Sequence, residues 1–217
     1  MDADSEKVQL ILDNTDINCD TSAAIYVRQA DKVFLTLGGP GKLTLQAAYG
    51  HGIVSKDDLV ITGGNYQITA AKHALSGKDS VRVADGTLTL DAGSDGIHSE
   101  NTEEEEKGFI YVAGGNLSIT SASDGLDAED TLQIDGGTMK ISAGDDGVHS
   151  DADLKAEKAV ESMFTAPPTV ETEPLTMPVQ HPSQAEPSWL SAPVAWPRIS
   201  GRTPPRDPCL SQFPTHK

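Results

Sequence analysis

The chain has 217 residues, a formal net charge of −17 and only 5% aromatic side chains. That length admits one elongated domain, but so few aromatics exclude a large globular core and leave thin aliphatic ladders as the apolar interior. Lys155 to Lys217 carries six basic and six acidic side chains, so the acidic excess belongs entirely to residues 1–154. Such a body repels nucleic acid and anionic membranes and attracts cations, divalent ions foremost.

The opening "MDADSEKVQLILDNTDI" has neither a basic start nor an apolar run long enough for a signal peptide, and no transmembrane stretch follows. The expectation is a cytoplasmic chain or one whose true N-terminus lies upstream. Cys19 and Cys209 sit at opposite ends in unlike contexts and offer no disulfide framework or zinc motif.

From residue 50 onward the sequence repeats itself. Ile53, Leu75, Ile97, Leu126 and Val148 occupy equivalent places, at steps of 22, 22, 29 and 22 residues. A second column, Gly63-Gly64, Asp85-Gly86, Gly114-Gly115 and Gly136-Gly137, keeps the same steps of 22, 29 and 22. The long step contains "SENTEEEEKGF", so a seven-residue acidic insertion preserves the register. Within one copy, "DLVITGG", "NYQITAA" and "KHALSGK" read as three short strands. Leu59, Ile61, Tyr66, Ile68 and Leu75 are expected to face in, and Val60, Gln67 and Thr69 out or sideways. Gly, Asp and Asn between the pieces leave no room for a helix. Three strands every 22 residues is the arithmetic of an all-β solenoid, a parallel β-helix over residues 1–154. Equivalent residues then stack about 4.8 Å apart, and the Asp-Gly phrases mark corners that need a positive φ.

Beyond about residue 155 the composition changes: twelve of thirteen prolines and both tryptophans lie past Ala166. Residues 155–217 are expected to be a disordered Pro-rich tail. Out-of-frame translation is a second reading, because the codons from Met177-Pro178 permit, in the adjacent frame, a string containing Thr-Gly-Gly-Thr.

The stretches "YGHGIVSKDDLVITGGNYQITAAKHALSGKDSV", "GSDGIHSEN" and "GGNLSITSASDGLDAEDTLQIDGGTMKISAGDDGVHSDADL" together resemble the bacterial carbohydrate-binding domain-containing proteins of the Firmicutes cell surface, over roughly Lys7 to Leu154. The resemblance implies a right-handed parallel β-helix, extracellular or cell-surface placement, Ca²⁺ sites and polysaccharide binding. The chain departs from it in lacking an export signal, in a short stretch between Ile25 and Ile53, and in its tail.

Two residues before each apolar fixed point stands the column His51, His73, Asp95, Asp124 and Asp146. Stacked carboxylates repel unless neutralised, and Ca²⁺, which takes six to eight hard oxygen ligands, would do so. Asp95, Asp124 and Asp146, with Glu100, Asp127, Glu129 and Asp145, are the candidate ligands; Asp130 and Asp151 lie close by. The alternative is that each Asp caps its own turn and solvent screens the ladder. His98 and His149 are expected to point outward, whole coils apart, and so to form no zinc site. The "EEEE" run reads as a solvated loop.

Function is expected to be non-catalytic, Ca²⁺-assisted binding of a polysaccharide, either acidic and pectin-like or cellulose-like, with Tyr49, Tyr66 and Tyr111 as stacking candidates. A Ca²⁺-dependent polysaccharide lyase is the alternative, which would need a lysine base of lowered pKa among Lys56, Lys72, Lys78 or an arginine such as Arg82. A structural adhesin or spacer is the third. No membrane insertion and no nucleic-acid partner are expected.

Overall fold

Alternating apolar residues build short strands, and glycine corners turn each into the next. The structure, a computed structural model, describes residues 1–2, 6–38, 41–104 and 106–156, and the backbone of 161–165. The first coil comprises β1 (Lys7–Leu12), β2 (Thr15–Cys19) and β3 (Ile25–Val27), and the second β4 (Lys32–Leu37), β5 (Lys42–Ala47) and β6 (Ile53–Ser55). The third holds β7 (Asp58–Gly63), β8 (Asn65–Ala70) and β9 (Leu75–Gly77), and the fourth β10 (Ser80–Val83), β11 (Thr87–Ala92) and β12 (Ile97–Ser99). The fifth holds β13 (Phe109–Val112), β14 (Asn116–Ser121) and β15 (Leu126–Ala128), and the sixth β16 (Thr131–Ile134), β17 (Thr138–Ser142) and β18 (Val148–Ser150). β19 (Asp153–Ala156) and β20 (Glu161–Thr165) begin a seventh.

Each strand pairs in parallel with its equivalent one coil away. Three sheets result, of seven, seven and six strands, and they enclose one narrow core. The chain is a parallel β-helix.

The five repeat points stack in register, and Ile25 adds a sixth beneath Ile53. The stretch between Ile25 and Ile53 is thus one complete coil, its extra residues shared among the turns before β4, between β4 and β5 and before β6. Leu59, Ile61, Tyr66, Ile68 and Leu75 are buried, while Gln67 and Thr69 are exposed and Val60 is half-buried. The acidic insertion leaves the ladder between β12 and β13, and Arg82 on β10 still pairs with Tyr111 on β13. Cys19 is buried at the end of β2 and is not a free thiol; Cys209 lies outside the described residues.

The strands continue past the expected boundary at residue 154, because β19 and β20 extend the first two sheets. Parallel backbone pairing with β16 and β17 carries that continuation, and the composition change at 155 hid it. The tail from residue 166, with its expected disorder and reading frame, lies outside the described residues.

Two kinds of glycine make the corners. Gly64, Gly86, Gly115 and Gly137, between the first and second sheets, have φ of +113°, +127°, +100° and +105°. A Cβ on Gly115 would also lie 2.7 Å from the Gly86 carbonyl of the coil below. The glycines of the Asp-Gly-apolar phrases, Gly96 and Gly125, do not take a positive φ, contrary to the sequence expectation, whereas Gly86 of Asp85-Gly86 does. Gly96 is required because a Cβ there would come within 2.6 Å of the Gly125 carbonyl on the next coil. Close stacking, rather than backbone handedness, selects glycine at that corner.

Gly115→Ala combines a strained φ with a backbone collision and should lower stability by about 2–4 kcal/mol. Gly114→Ala should stay within about 0.5–1 kcal/mol, since its Cβ would meet nothing nearer than 3.7 Å. Urea unfolding of both variants checks this; equal losses would contradict it.

Candidate metal and glycan site

The corner between the second and third sheets carries the polar column. It links the coils in a way the sequence reading did not foresee. Rather than capping their own turns, Asp95 and Asp124 each accept from the backbone N–H of the equivalent residue one coil on. The Asp124 N–H donates to Asp95 Oδ1 (3.1 Å), and the Asp146 N–H to Asp124 Oδ1 (2.7 Å). The Asp95 N–H makes a longer contact to His73 Nδ1 (3.3 Å). Parallel stacking offsets each amide toward the side chain beneath it, which is why the bond crosses coils.

The second oxygen of Asp95 faces imidazoles: His73 Nδ1 lies 2.8 Å from Oδ2, and His98 Nδ1 3.5 Å. His98 Nδ1 is also 3.1 Å from Asp127 Oδ2, and its Nε2 3.5 Å from Glu100 Oε2. The rings of His51, His73 and His98 stack, with centroids 4.8 and 4.2 Å apart. One coil above Asp127, His149 Nδ1 approaches Asp127 Oδ1 (3.5 Å) and Asp124 Oδ2 (3.9 Å), while Nε2 lies 3.3 Å from Asp151.

The histidines are a correction. His98 and His149 do not point away from the acidic column; they join it. His98, Asp127 and His149 are register partners on β12, β15 and β18. The corner turn between the column and these three-residue strands places a residue and the one three further along on the same side. Simple alternation counted through the corner gives the opposite answer. The offset shared by Asp95/His98 and Asp124/Asp127 was the signal available in the sequence.

Of the expected ligands, Asp124 and Asp127 come together at His149, Asp95 groups with His73 and His98, and Glu100 approaches His98. Glu129 stands over Glu100 and below Asp151, and burial with these like charges raises its carboxyl above the usual range. Asp145 and Asp146 lie exposed on the sixth coil; Asp145 adds to the negative field at Asp124. Burial, reinforced by Asp127, Asp95 and Asp145, pushes Asp124 up to about 6 against the opposing Asp146 N–H. Burial also acts to raise Asp95, but His73, the Asp124 N–H and His98 outweigh it and hold the carboxyl below the ordinary value. Burial tends to lower His98, yet Asp127, Asp95 and Glu100 raise it overall. His51 is driven down to about 4 by burial, then by His73, Lys72 and His98.

The tyrosines separate. Tyr66 is a core residue, fully buried, its hydroxyl donating to the Gly63 carbonyl (2.9 Å), so it cannot stack on a sugar. It lies at an inward position of β8, where alternation alone would place it. Tyr49 is 69% exposed in the corner before β6. Tyr111 lines a shallow groove of about 380 Å³ across β10, β13 and β16, with Arg82, Phe109, Gln133, Glu106 and Asp130. The Arg82 guanidinium lies 4.8 Å from the Phe109 ring centre, and Tyr111 donates its hydroxyl to Asp135 (2.6 Å). Arg82 and Phe109 were not foreseen as a pair because they lie on neighbouring strands 27 residues apart, across the insertion.

Asp124 gives a pH prediction. Its native pKa of about 6 lies above the ordinary carboxylate value of 3.8, so the native state holds the proton more tightly than the unfolded chain. Ionised Asp124 therefore costs stability above pH 6, and the cost fades as pH falls from about 6 to 4. In chelator, Asp124→Asn should be more stable than the native chain by about 1–2 kcal/mol at pH 7.5, after allowance for solvent screening. The difference should vanish near pH 4. Urea titrations at the two pH values test it, and a variant of equal or lower stability at pH 7.5 would contradict it.

A sequence-family model described as carbohydrate-binding domain-containing protein matches residues 1–38 and 34–167. The structure is similar to that of the polysaccharide lyase-like protein from C. thermocellum, determined as a gadolinium derivative, at 28% identity and a TM-score of 0.65. That similarity covers 73% of this chain and 78% of the other. No curated protein matches the sequence. With most of the solenoid inside the match, the chain belongs to the carbohydrate-binding domain-containing protein family.

Proposed function

We propose that this solenoid is a non-catalytic polysaccharide-binding module whose acidic corner takes up Ca²⁺. The observation that carries the binding reading is the groove on the first sheet. Phe109 and Tyr111 offer apolar ring surface there, and Arg82, Gln133, Glu106 and Asp130 offer hydrogen-bonding groups at its edge. Flat carbohydrate faces stack on such rings, and hydroxyls pair with such a rim.

The lysines speak against a lyase. A base that removes a proton must be neutral near working pH, so its pKa has to fall. Lys78 goes the other way, raised by its 2.6 Å contact with Glu103. Lys107, bound by Glu104 and Asp79, is also raised. Lys56 and Lys72 stand at the histidine end of the column, beside His51, and not among the carboxylates.

For Ca²⁺ the donors of the later coils fit. Asp124, Asp127, Glu129, Asp145 and Asp146 are hard oxygen ligands, and burial together with the neighbouring Asp127, Asp95 and Asp145 raises the Asp124 carboxyl, a cost that a bound cation would relieve. Glu100, exposed and one coil below Glu129, can contribute from the rim. Asp95 fits less well, since two imidazoles face its free oxygen. When bound, the ion would supply neutralisation of the stacked carboxylates and a bridge to an anionic glycan. Among binding partners an acidic, pectin-like polymer would depend on that bridge; a cellulose-like polymer would not. Presentation at the cell surface or outside the cell is the setting in which such a module meets its polymer.

Retention on pectin-like and cellulose-like polymers, with Ca²⁺ and with chelator, tests the reading. Tyr111→Ala should weaken retention roughly 3- to 10-fold, the worth of one aromatic contact. Asp124→Ala should abolish any rise in melting temperature with Ca²⁺, because an ion that binds only the native state stabilises it. Unaltered retention by Tyr111→Ala would overturn the groove. Release of unsaturated uronides from the pectin-like polymer would replace binding with lyase activity.

A further inference from the structure

We propose that His73, Asp95 and His98 form a separate site for a transition-metal dication of the zinc class. Calcium takes oxygen ligands, whereas two imidazoles with one carboxylate are the donors that zinc and its first-row neighbours select. The three side chains present one ligand atom each within 4.8 Å of one another.

The geometry is close to that of a coordination sphere. Bonds of about 2.0–2.1 Å at tetrahedral angles put neighbouring ligand atoms about 3.3–3.4 Å apart. His73 Nδ1 and His98 Nδ1 lie 2.8 and 3.5 Å from the same oxygen, Asp95 Oδ2, which brackets that separation. The two rings stack with centroids 4.2 Å apart and 8° between their planes, and since a metal lies in the plane of each imidazole that binds it, one ring must turn for both Nδ1 atoms to share one ion. All three side chains are shielded, with 17%, 8% and 16% of their surfaces exposed.

Support from behind the ligands is also present. The Asp124 N–H fixes Asp95 through Oδ1, leaving Oδ2 free for an ion. His98 turns Nε2 toward Glu100 (3.5 Å), so that Nδ1 remains the ligand atom, and carboxylates commonly hold metal-bound imidazoles in this way. Asp127 Oδ2, 3.1 Å from His98 Nδ1, stands at the edge of the site beside a fourth position for water. The neighbouring group further along the axis, Asp124, Asp127 and His149, has two carboxylates to one imidazole, wider contacts and a His149 that is 41% exposed. The N-rich site should therefore prefer zinc, and the O-rich one calcium.

The repeats indicate which changes the fold tolerates. In register with His98, the preceding coil carries Ser76, and Ala23 stands beneath His51 in the corner column. His98→Ser and His73→Ala thus install residues the solenoid already uses. Zn²⁺ would be titrated calorimetrically into the full, untagged chain, with Co²⁺ as the optical probe, for the native protein, both single variants and Asp124→Asn. The expected result is saturable binding with visible Co²⁺ d–d bands, weakened at least 10- to 100-fold by either histidine change and retained in Asp124→Asn. Far-UV circular dichroism shows that the variants remain folded. Equal Zn²⁺ affinity in the native chain and the two folded histidine variants would overturn the site and leave a hydrogen-bonded ladder. Calcium binding and polysaccharide retention are read separately, so that failure would leave the proposed glycan function untouched.

Discussion

Parallel hydrogen bonding between coils, at a strand spacing of about 4.8 Å, fixes nearly everything else in this molecule. It sets each side chain directly on its equivalent in the next coil, so a choice made at one position is repeated along the axis. Apolar columns gain by this: Leu59, Val81, Ile110 and Leu132 form one continuous line on the first sheet. Glycine columns follow from the same closeness, because at Gly96 and Gly115 a Cβ would enter the backbone of the neighbouring coil.

Polar columns face the opposite problem, since stacking like charges is unfavourable. The corner column meets it in two ways that the structure shows. Backbone N–H groups of one coil satisfy carboxylates of the previous one, and imidazoles interleave with Asp95 and Asp127. The composition of the column changes along the axis, from His51 and His73 to Asp95, Asp124 and Asp146. The neighbouring column changes with it, from Lys56 and Lys78 to Glu100, Glu129 and Asp151. One face of the solenoid therefore turns from basic to acidic, and its acidic end is where charge exceeds the internal counter-charges.

The repeating coils were legible in the sequence because burial acts on single residues at a fixed period. Ile53 through Val148 needed only counting. The first coil was less visible, since the longer turns of the second coil, before β4, between β4 and β5 and before β6, break the period before it is established. β19 and β20 were hidden by a change in composition that does not coincide with the end of pairing. The acidic residues of the candidate site were legible as a column, but their geometry was not. Alternation counted through a corner sends His98 outward, whereas the turn brings it back beside Asp95. At Tyr66 alternation along β8 does place the ring inward, and its burial there is what removes it from sugar stacking. Cross-strand neighbours such as Arg82 and Phe109 required the register, which the insertion obscures.

The central claim is that the acidic end of the corner column is completed by a bound cation. Its most direct test is crystallographic: anomalous diffraction from crystals grown with Ca²⁺, compared with crystals grown in chelator. The account predicts an anomalous peak about 2.3–2.6 Å from carboxylate oxygens of Asp124 or Asp127, absent in chelator. Carboxylates met only by water and by the amide of the next coil, in both crystals, would contradict it.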